Sequence, residues 1–385
     1  MREVAIIGVG STPFGRMEGS GIIELAVAAC REALAESRVP RRQVQALYLG
    51  NFVGERLASQ GALAGLLAGR LGLTGIPATK VEGACASGGI AFRHGVLGIA
   101  LGLYDFVLVA GVEQMTTSST AEVTAALATA GDEEREIRVG LTFPGAFGII
   151  MREHMARYGT TREQVGRVSV KNHGLGVANP KAQFRKPVTL DEVLGSRLIA
   201  DPLRLFDCPP ISDGAAALVL CPADRARDFH GKPVRVLGSG HATGPATLWE
   251  MTDLTSFPAT VRAAREACAM ARVTPADIQV AEVHDCFTIA EIIATEDLGF
   301  FPKGEGGPAV EDGSTGLDGR VAVNPSGGLI AKGHPVGATG CAQVYELVKQ
   351  LRGEAANQVR SADIALAHNL GGAGVVSTVT ILGKL

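Results

Sequence analysis

Few side chains can attack a carbonyl carbon, and the strongest candidate in this sequence is Cys85. It ends the short run Ala78-Thr79-Lys80-Val81-Glu82-Gly83-Ala84, and Ala86-Ser87-Gly88-Gly89 then opens a helical stretch. That places the thiol in a tight turn at a helix N-terminus, where unpaired amides and the positive end of the helix dipole favour a thiolate. The plainer alternative is a buried cysteine packed like an alanine. His334 adds weight to the chemical reading, because Ala331-Lys332-Gly333-His334-Pro335-Val336-Gly337-Ala338-Thr339-Gly340 holds an imidazole in a glycine-rich loop just before another helix. A nucleophilic thiol needs a neighbour that takes its proton and later returns one, and histidine does so near neutral pH.

A second imidazole and a second thiol come together in His284-Asp285-Cys286-Phe287, at the end of the strand-like run Val280-Ala281-Glu282-Val283. A deprotonated Cys286 could take an α-proton from an acyl thioester, with His284 donating a hydrogen bond to the enolate oxygen. The last strand runs into His368-Asn369-Leu370-Gly371-Gly372-Ala373-Gly374, whose glycines let backbone amides approach a ligand as an oxyanion hole or simply make a tight turn. Gly8-Val9-Gly10-Ser11-Thr12-Pro13 is no dinucleotide fingerprint, since it lacks the third glycine and carries a proline where a helix would continue.

The elements that must position these groups alternate between strand-like and helical runs, the pattern of an α/β fold with a mostly parallel sheet covered on both faces. Val4-Ala5-Ile6-Ile7-Gly8, a helix over residues 23–37 and the strand Ala46-Leu47-Tyr48-Leu49-Gly50 recur in order as Val234-Arg235-Val236-Leu237-Gly238, a helix near residues 260–271 and the strand at Val280. Arg31-Glu32-Ala33 falls on Arg265-Glu266-Ala267 and Val39 on Val273 at one constant offset. The Cys85 loop likewise answers to Gly337-Ala338-Thr339-Gly340, so the chain reads as a duplicated unit whose two loops face each other. The less regular stretch between the halves reads as an inserted lobe. Chemistry is expected at the carboxyl ends of the strands.

At 385 residues the chain can bury two cores, and its 50 glycines with few aromatics suit small-residue packing of helices on sheets. A formal charge of −3 with interspersed signs offers no basic field for nucleic acid and no polybasic membrane anchor. The N-terminus turns polar too soon for a signal peptide or a membrane span, which points to the cytoplasm. Seven cysteines without a CxxC pair suggest neither a disulfide framework nor a zinc site.

In this order and at these spacings the four segments resemble the thiolases, and the resemblance covers essentially the whole chain. The His284-Asp285-Cys286-Phe287 segment and the His368-Asn369 ending are similar to the sterol-carrier-protein type and its archaeal acetyl-CoA acetyltransferase-like relatives. The resemblance implies an α/β thiolase fold of two similar βαβαβαββ halves packed in five layers (αβαβα) with an inserted loop domain. The N-terminal half would be residues 1–115 with 201–230, the loop domain 116–200 and the C-terminal half 231–385. It implies that Cys85 is acylated, that His334 activates it and helps hold the thioester oxygen, and that His284 stands where other members have asparagine. Degradative and biosynthetic members take their acid/base cysteine from a C-terminal Cys-x-Gly segment, but His368 and Leu370 occupy those positions here, so the role passes to Cys286. The amides of Cys85 and of Leu370 or Gly371 would form an oxyanion hole, and Asn324 of Asn324-Pro325-Ser326-Gly327-Gly328 would line the site.

Implied too are Claisen chemistry on coenzyme A esters, which enter as substrates with no bound cofactor and no metal, and a homodimer or homotetramer. Two alternatives share the fold: a thiolase-like aldolase, against which the pair Cys85 and Cys286 argues, and a low-activity scaffold working with a small OB-fold protein partner.

Overall fold

The computed structural model describes all residues, Met1–Leu385. The first half alternates β1 (Val4–Ser11), α1 (Ile22–Ser37), β2 (Ala46–Gly50), α2 (Gly54–Leu57), α3 (Leu63–Leu71), β3 (Ala78–Val81), α4 (Ser87–Ala100) and β4 (Val107–Glu113). The chain then leaves the sheet through α5 (Thr120–Ala128), α6 (Phe143–Tyr158), α7 (Arg162–Gly176), α8 (Leu190–Gly195) and the small hairpin β5 (Leu198–Ala200) and β6 (Leu203–Arg204). It returns as β7 (Gly214–Pro222), and the second half follows as β8 (Val234–Thr243), α9 (Pro258–Ala271), β9 (Val280–Glu282), α10 (Thr288–Asp297), α11 (Gly306–Glu311), β10 (Ala322–Val323), α12 (Thr339–Arg352), β11 (Ile364–Gly371) and β12 (Val376–Lys384). No helix is long and apolar enough to cross a membrane.

The strands form one ten-stranded sheet in the order β10-β9-β11-β12-β8-β1-β7-β4-β2-β3. The expectation of a mostly parallel sheet needs correction. Pairs at the two ends are parallel (β3 with β2, β2 with β4, β10 with β9, β9 with β11), whereas β4–β7, β7–β1, β1–β8, β8–β12 and β12–β11 are antiparallel. The cause is local: β11 and β12 are joined by a tight turn that only an antiparallel pair can use, and β7 re-enters from the opposite end after the long excursion. The two halves touch edge to edge through the short register Val4↔Val236 to Ile6↔Val234.

Alternation along the strands feeds different layers. In β7, Ala216, Leu218 and Leu220 join the α4 and α12 side chains Phe92, Val96, Leu347 and Val348 in a central core. Ala215, Ala217 and Val219 face the other way, onto Leu25 and Ala29 of α1 and Leu67 of α3. In the second half Ala281, Leu366 and Val379 pack on Ala263 and Ala267 of α9 and Ala294 of α10. Helix, sheet, paired α4 and α12, sheet and helix are thus the five layers.

The duplication is visible atom by atom. A Cβ on Gly8 would come within 2.2 Å of Ala33 O, and one on Gly238 within 2.2 Å of Ala267 O; Gly10 and Gly240 stand in the same way against Ala29 O and Ala263 O, at 2.3 and 1.9 Å. In each half a glycine pair lets the helix lie directly on the first strand. Both helices also end on an arginine in the left-handed region, Arg38 and Arg272, each with φ 57°. At the centre, α4 and α12 meet at their N-terminal glycines: a Cβ on Gly88 would lie 2.8 Å from Gly337 O, and one on Gly340 2.2 Å from Gly89 N. That close approach brings the Cys85 turn and the His334 loop face to face.

Candidate active site

The Cys85 turn is held in an unusual shape. Ala84 has φ 51°, a left-handed value that costs a non-glycine residue energy, and two bonds of Ser87 keep it there: its hydroxyl accepts from Gly83 N (3.0 Å) and donates to Ala84 O (2.6 Å). The amides of Cys85 itself and of Gly372 lie near enough to the sulfur to favour its charged form. An oxyanion formed at a thioester bound to Cys85 would meet the same two donors. The amide of Gly372, next to the expected Leu370 and Gly371, also stands near the sulfur. Leu370 turns into an apolar core with Cys286, Phe287 and Phe147, and Gly371 has room for no side chain because Gly83 O would lie 2.4 Å from its Cβ.

Enclosure works against the thiolate that the helix terminus favours, although the Cys85 side chain keeps partial exposure. Burial pushes Cys85 up to about 12, the neighbouring Glu113 carboxylate pushes the same way, and the two amides only partly offset them. Desolvation outweighs the dipole, so thiolate must be generated by proton transfer.

The His334 ring presents a nitrogen able to accept a proton. Its loop is fixed by the Ser212 hydroxyl, which accepts from His334 N (3.0 Å), and by Thr339, whose Oγ1 lies 2.7 Å from Nδ1. The Thr339 hydroxyl donates to Pro335 O (3.1 Å), so it accepts from Nδ1–H, and the proton of the neutral ring is on Nδ1. Nε2 then carries a lone pair, is buried and has no hydrogen-bond partner. Burial lowers His334 to about 3, which keeps the resting ring neutral.

Cys85 Sγ and ring nitrogens of His284 and His334 lie within 4.8 Å of one another, and the two imidazoles stand edge to face with centroids 5.0 Å apart. His284 is also held neutral, by burial first and then by His334 and His368. Cys286 is buried nearby, its thiol pushed well up by desolvation and by the proximity of Cys85. Three of the four groups singled out as chemical, Cys85, His284 and His334, are therefore brought together, with Cys286 close enough for the charge of Cys85 to act on it.

Two of the expected lining residues are not at the surface of the site. His368 lies behind His284: its Nε2 bonds Thr260 Oγ1 (2.9 Å) and its Nδ1 accepts from His284 N (3.4 Å). Asn324 is wholly buried, accepting from Val283 N (2.8 Å) and donating to Glu291 Oε2 (2.8 Å), and so pins the strand end that carries His284.

Three residues that sequence reasoning did not single out complete the frame. Asn369 accepts from Gly89 N (3.1 Å), donates to Cys85 O (3.0 Å) and lies 3.1 Å from His284 Nδ1. Asp285 accepts from Leu329 N (2.7 Å), Ile330 N (3.3 Å) and Asn172 (2.8 Å), joining the His284 turn to the stretch before His334. Glu113 accepts from Asn51 Nδ2 (2.7 Å), Phe52 N (2.9 Å) and Gly337 N (3.2 Å). Of these only Asn369, beside His368 in a glycine-rich ending, and Asp285, between the two chemical residues, carried a positional hint.

Ala373 also lines a small, largely apolar cleft together with Ile137, Leu141, Phe143, Pro245, Thr247 and Leu248.

Comparison with known proteins agrees with this geometry. Residues 4–224 match the family profile "Thiolase, N-terminal domain" and residues 240–384 "Thiolase C-terminal domain-like". The chain is 49% identical over 385 residues to the acetyl-CoA acetyltransferase of Methanothermobacter thermautotrophicus, covering 100% of both. It is 39% identical over 397 residues to sterol carrier protein 2 of Bos taurus, covering 99% of this chain and 72% of that protein. Among solved structures it superimposes with TM-score 0.87 and 26% identity on an Ltp2-ChsH2(DUF35) aldolase, covering 99% and 97% of the two chains. Human mitochondrial 3-ketoacyl-CoA thiolase in complex with CoA follows with TM-score 0.76 over 100% and 98% of the chains, and at 17% identity it speaks for the fold alone. With both halves matched and a full-length relative at this identity, the chain belongs to the thiolase family and is a thiolase-type acyltransferase.

Proposed function

We propose that this thiolase makes or cleaves 3-ketoacyl-CoA through an acyl group carried on Cys85, in the manner of an acetyl-CoA C-acetyltransferase. The observation that carries the reading is the buried, unpartnered Nε2 of His334, on a ring that has a nitrogen within 4.8 Å of the Cys85 sulfur. In the first half-reaction the Cys85 proton passes to His334 Nε2 as the sulfur attacks the thioester carbon. The amides of Cys85 and Gly372 hold the oxyanion, and coenzyme A leaves as its sulfur takes the proton back from His334. In the second, Cys286, once deprotonated, removes the α-proton of another acyl-CoA while Nε2–H of His284 holds the enolate oxygen. The enolate carbon attacks the acyl group and Cys85 departs as thiolate, taking up the proton that Cys286 first released, while Cys286 keeps the α-proton; cleavage of 3-ketoacyl-CoA is the reverse path.

We read residues 116–200, which supply much of the wall of the small apolar cleft, as the inserted lobe. Incubation with acetoacetyl-CoA and free coenzyme A should consume both and acylate Cys85. Consumption without acylated Cys85 overturns the mechanism.

A second reading is favoured by the neighbour whose description names an aldolase with a DUF35 protein. On it, the chain works with a small partner of the OB-fold kind, as an aldolase or a scaffold. Turnover by the isolated chain, with Cys85 acylated, argues for the first reading.

A further inference from the structure

The two imidazoles of the site are both neutral, so what each can do depends on which nitrogen holds its single proton. For His334 the answer lies within its own loop. For His284 it lies in another strand, at Asn369 of β11.

The orientation of the Asn369 amide is fixed twice over. Its oxygen accepts from Gly89 N (3.1 Å), a backbone donor, and its nitrogen donates to Cys85 O (3.0 Å), a backbone acceptor. Turning the amide over would set donor against donor and acceptor against acceptor in a buried place, losing both bonds at about 1–3 kcal/mol for each unsatisfied group. With the nitrogen so placed, its second hydrogen points along the 3.1 Å contact to His284 Nδ1. A donor meets that nitrogen, so Nδ1 must be the acceptor, and the proton of the neutral ring must lie on Nε2. His368 contacts only the backbone of this residue, through His284 N, and leaves the ring's proton undetermined.

We propose that Asn369 is the positioning residue that sets the His284 tautomer, making that ring a hydrogen-bond donor towards the reacting centre while Thr339 makes His334 the acceptor. One side chain also ties together the nucleophile turn (Cys85 O), the start of α4 (Gly89 N) and the His-Asp-Cys-Phe turn, so the donor is oriented by the same group that places the sulfur. The consequence for condensation rests on the acyl-transfer reading above; the tautomer does not.

The test uses the full chain labelled with 15N-histidine. His284 is identified among the eight histidines by the signals missing from His284→Gln. At neutral pH the ring should show an unprotonated Nδ1 and a protonated Nε2. In Asn369→Asp the carboxylate calls for a donor at Nδ1, and the proton should move there; in Asn369→Ala, with no partner, the two tautomers should mix. Condensation should fall about 100-fold or more, the loss typical for one oxyanion donor, and by a larger factor than transfer of the acyl group from Cys85 to coenzyme A. A wild-type His284 protonated on Nδ1 overturns the inference, and so does an unchanged ring in both folded variants. The wild-type spectrum decides the tautomer even where a variant fails to fold. If the tautomer is as stated but the wild type makes no 3-ketoacyl-CoA, the functional reading fails while the assignment of Asn369 stands.

Discussion

The carboxylate of Glu113 accepts a 3.2 Å hydrogen bond from the amide of Gly337, so a side chain at the end of a strand in one half holds the loop that bears the imidazole in the other. Burial pushes this carboxyl from 4.5 up to about 7 despite its donors. A raised carboxyl stabilises the fold at low pH, and the contribution is lost as pH rises from about 4.5 to about 7, over which the unfolded chain ionises first. Glu113→Gln removes that dependence. The unfolding free energy of the variant relative to wild type, from chemical denaturation, should therefore be more favourable at pH 8 than at pH 4.5, by an amount on the order of 2–3 kcal/mol. A constant difference across that range would show that Glu113 does not titrate in this window.

Cys85→Ser should leave the fold intact and abolish acyl transfer, because a hydroxyl in place of the thiol gives His334 a far weaker nucleophile to activate. Circular dichroism checks the fold and mass spectrometry the absence of acyl-enzyme. Normal turnover in this variant would refute the mechanism.

Cys286→Ala separates the half-reactions. Acylated Cys85 should still accumulate from an acyl-CoA donor, and condensation should stop for want of a group to remove the α-proton. Absence of acylation in the variant would mean that the two thiols do not divide the work in this way.

Thr339→Val removes the acceptor of His334 Nδ1–H, bonded at 2.7 Å, with little change of shape. The buried ring then has no reason to keep its lone pair on Nε2. Cys85 acylation, followed by rapid quench, should slow by about 10- to 100-fold, a part of what a general base contributes, and the fold should lose about 1–3 kcal/mol for the orphaned donor. An unaltered acylation rate would show that the ring is oriented by something else.

Gly340→Ala puts a methyl group 2.2 Å from Gly89 N and 2.3 Å from Asn369 Oδ1. Helices α4 and α12 must part to admit it, at about 1–3 kcal/mol of stability, and the sulfur and imidazole part with them. A crystal structure and acylation kinetics together check this; a variant with native helix spacing and full activity would contradict the packing argument.

The chemical residues were legible because type, spacing and loop composition all bear on one short segment at a time. Cys85 before a helix, His334 among glycines and His284-Asp285-Cys286-Phe287 after a strand each carry their meaning locally, and the repeat said which segments would face one another. What escaped was set across long separations. Asn369 earns its place through Gly89, 280 residues away, and Glu113 through Gly337, 224 away. The enclosure that raises the Cys85 thiol was hidden too, because a helix terminus can be read from a sequence while the approach of other segments cannot. The strand directions were misjudged because alternation of strand and helix does not reveal from which end β7 re-enters the sheet.

The meeting of α4 and α12 at their glycines carries a consequence for descent. An ancestor made of a single unit could have faced only its own copy, presenting two identical loops that had to serve as attacker and proton acceptor alike. Once two units were joined in one polypeptide, a change in either loop was no longer imposed on its twin. Sulfur could then stay on one side while an imidazole settled on the other, and the seam between equals became a place where each partner holds a different office.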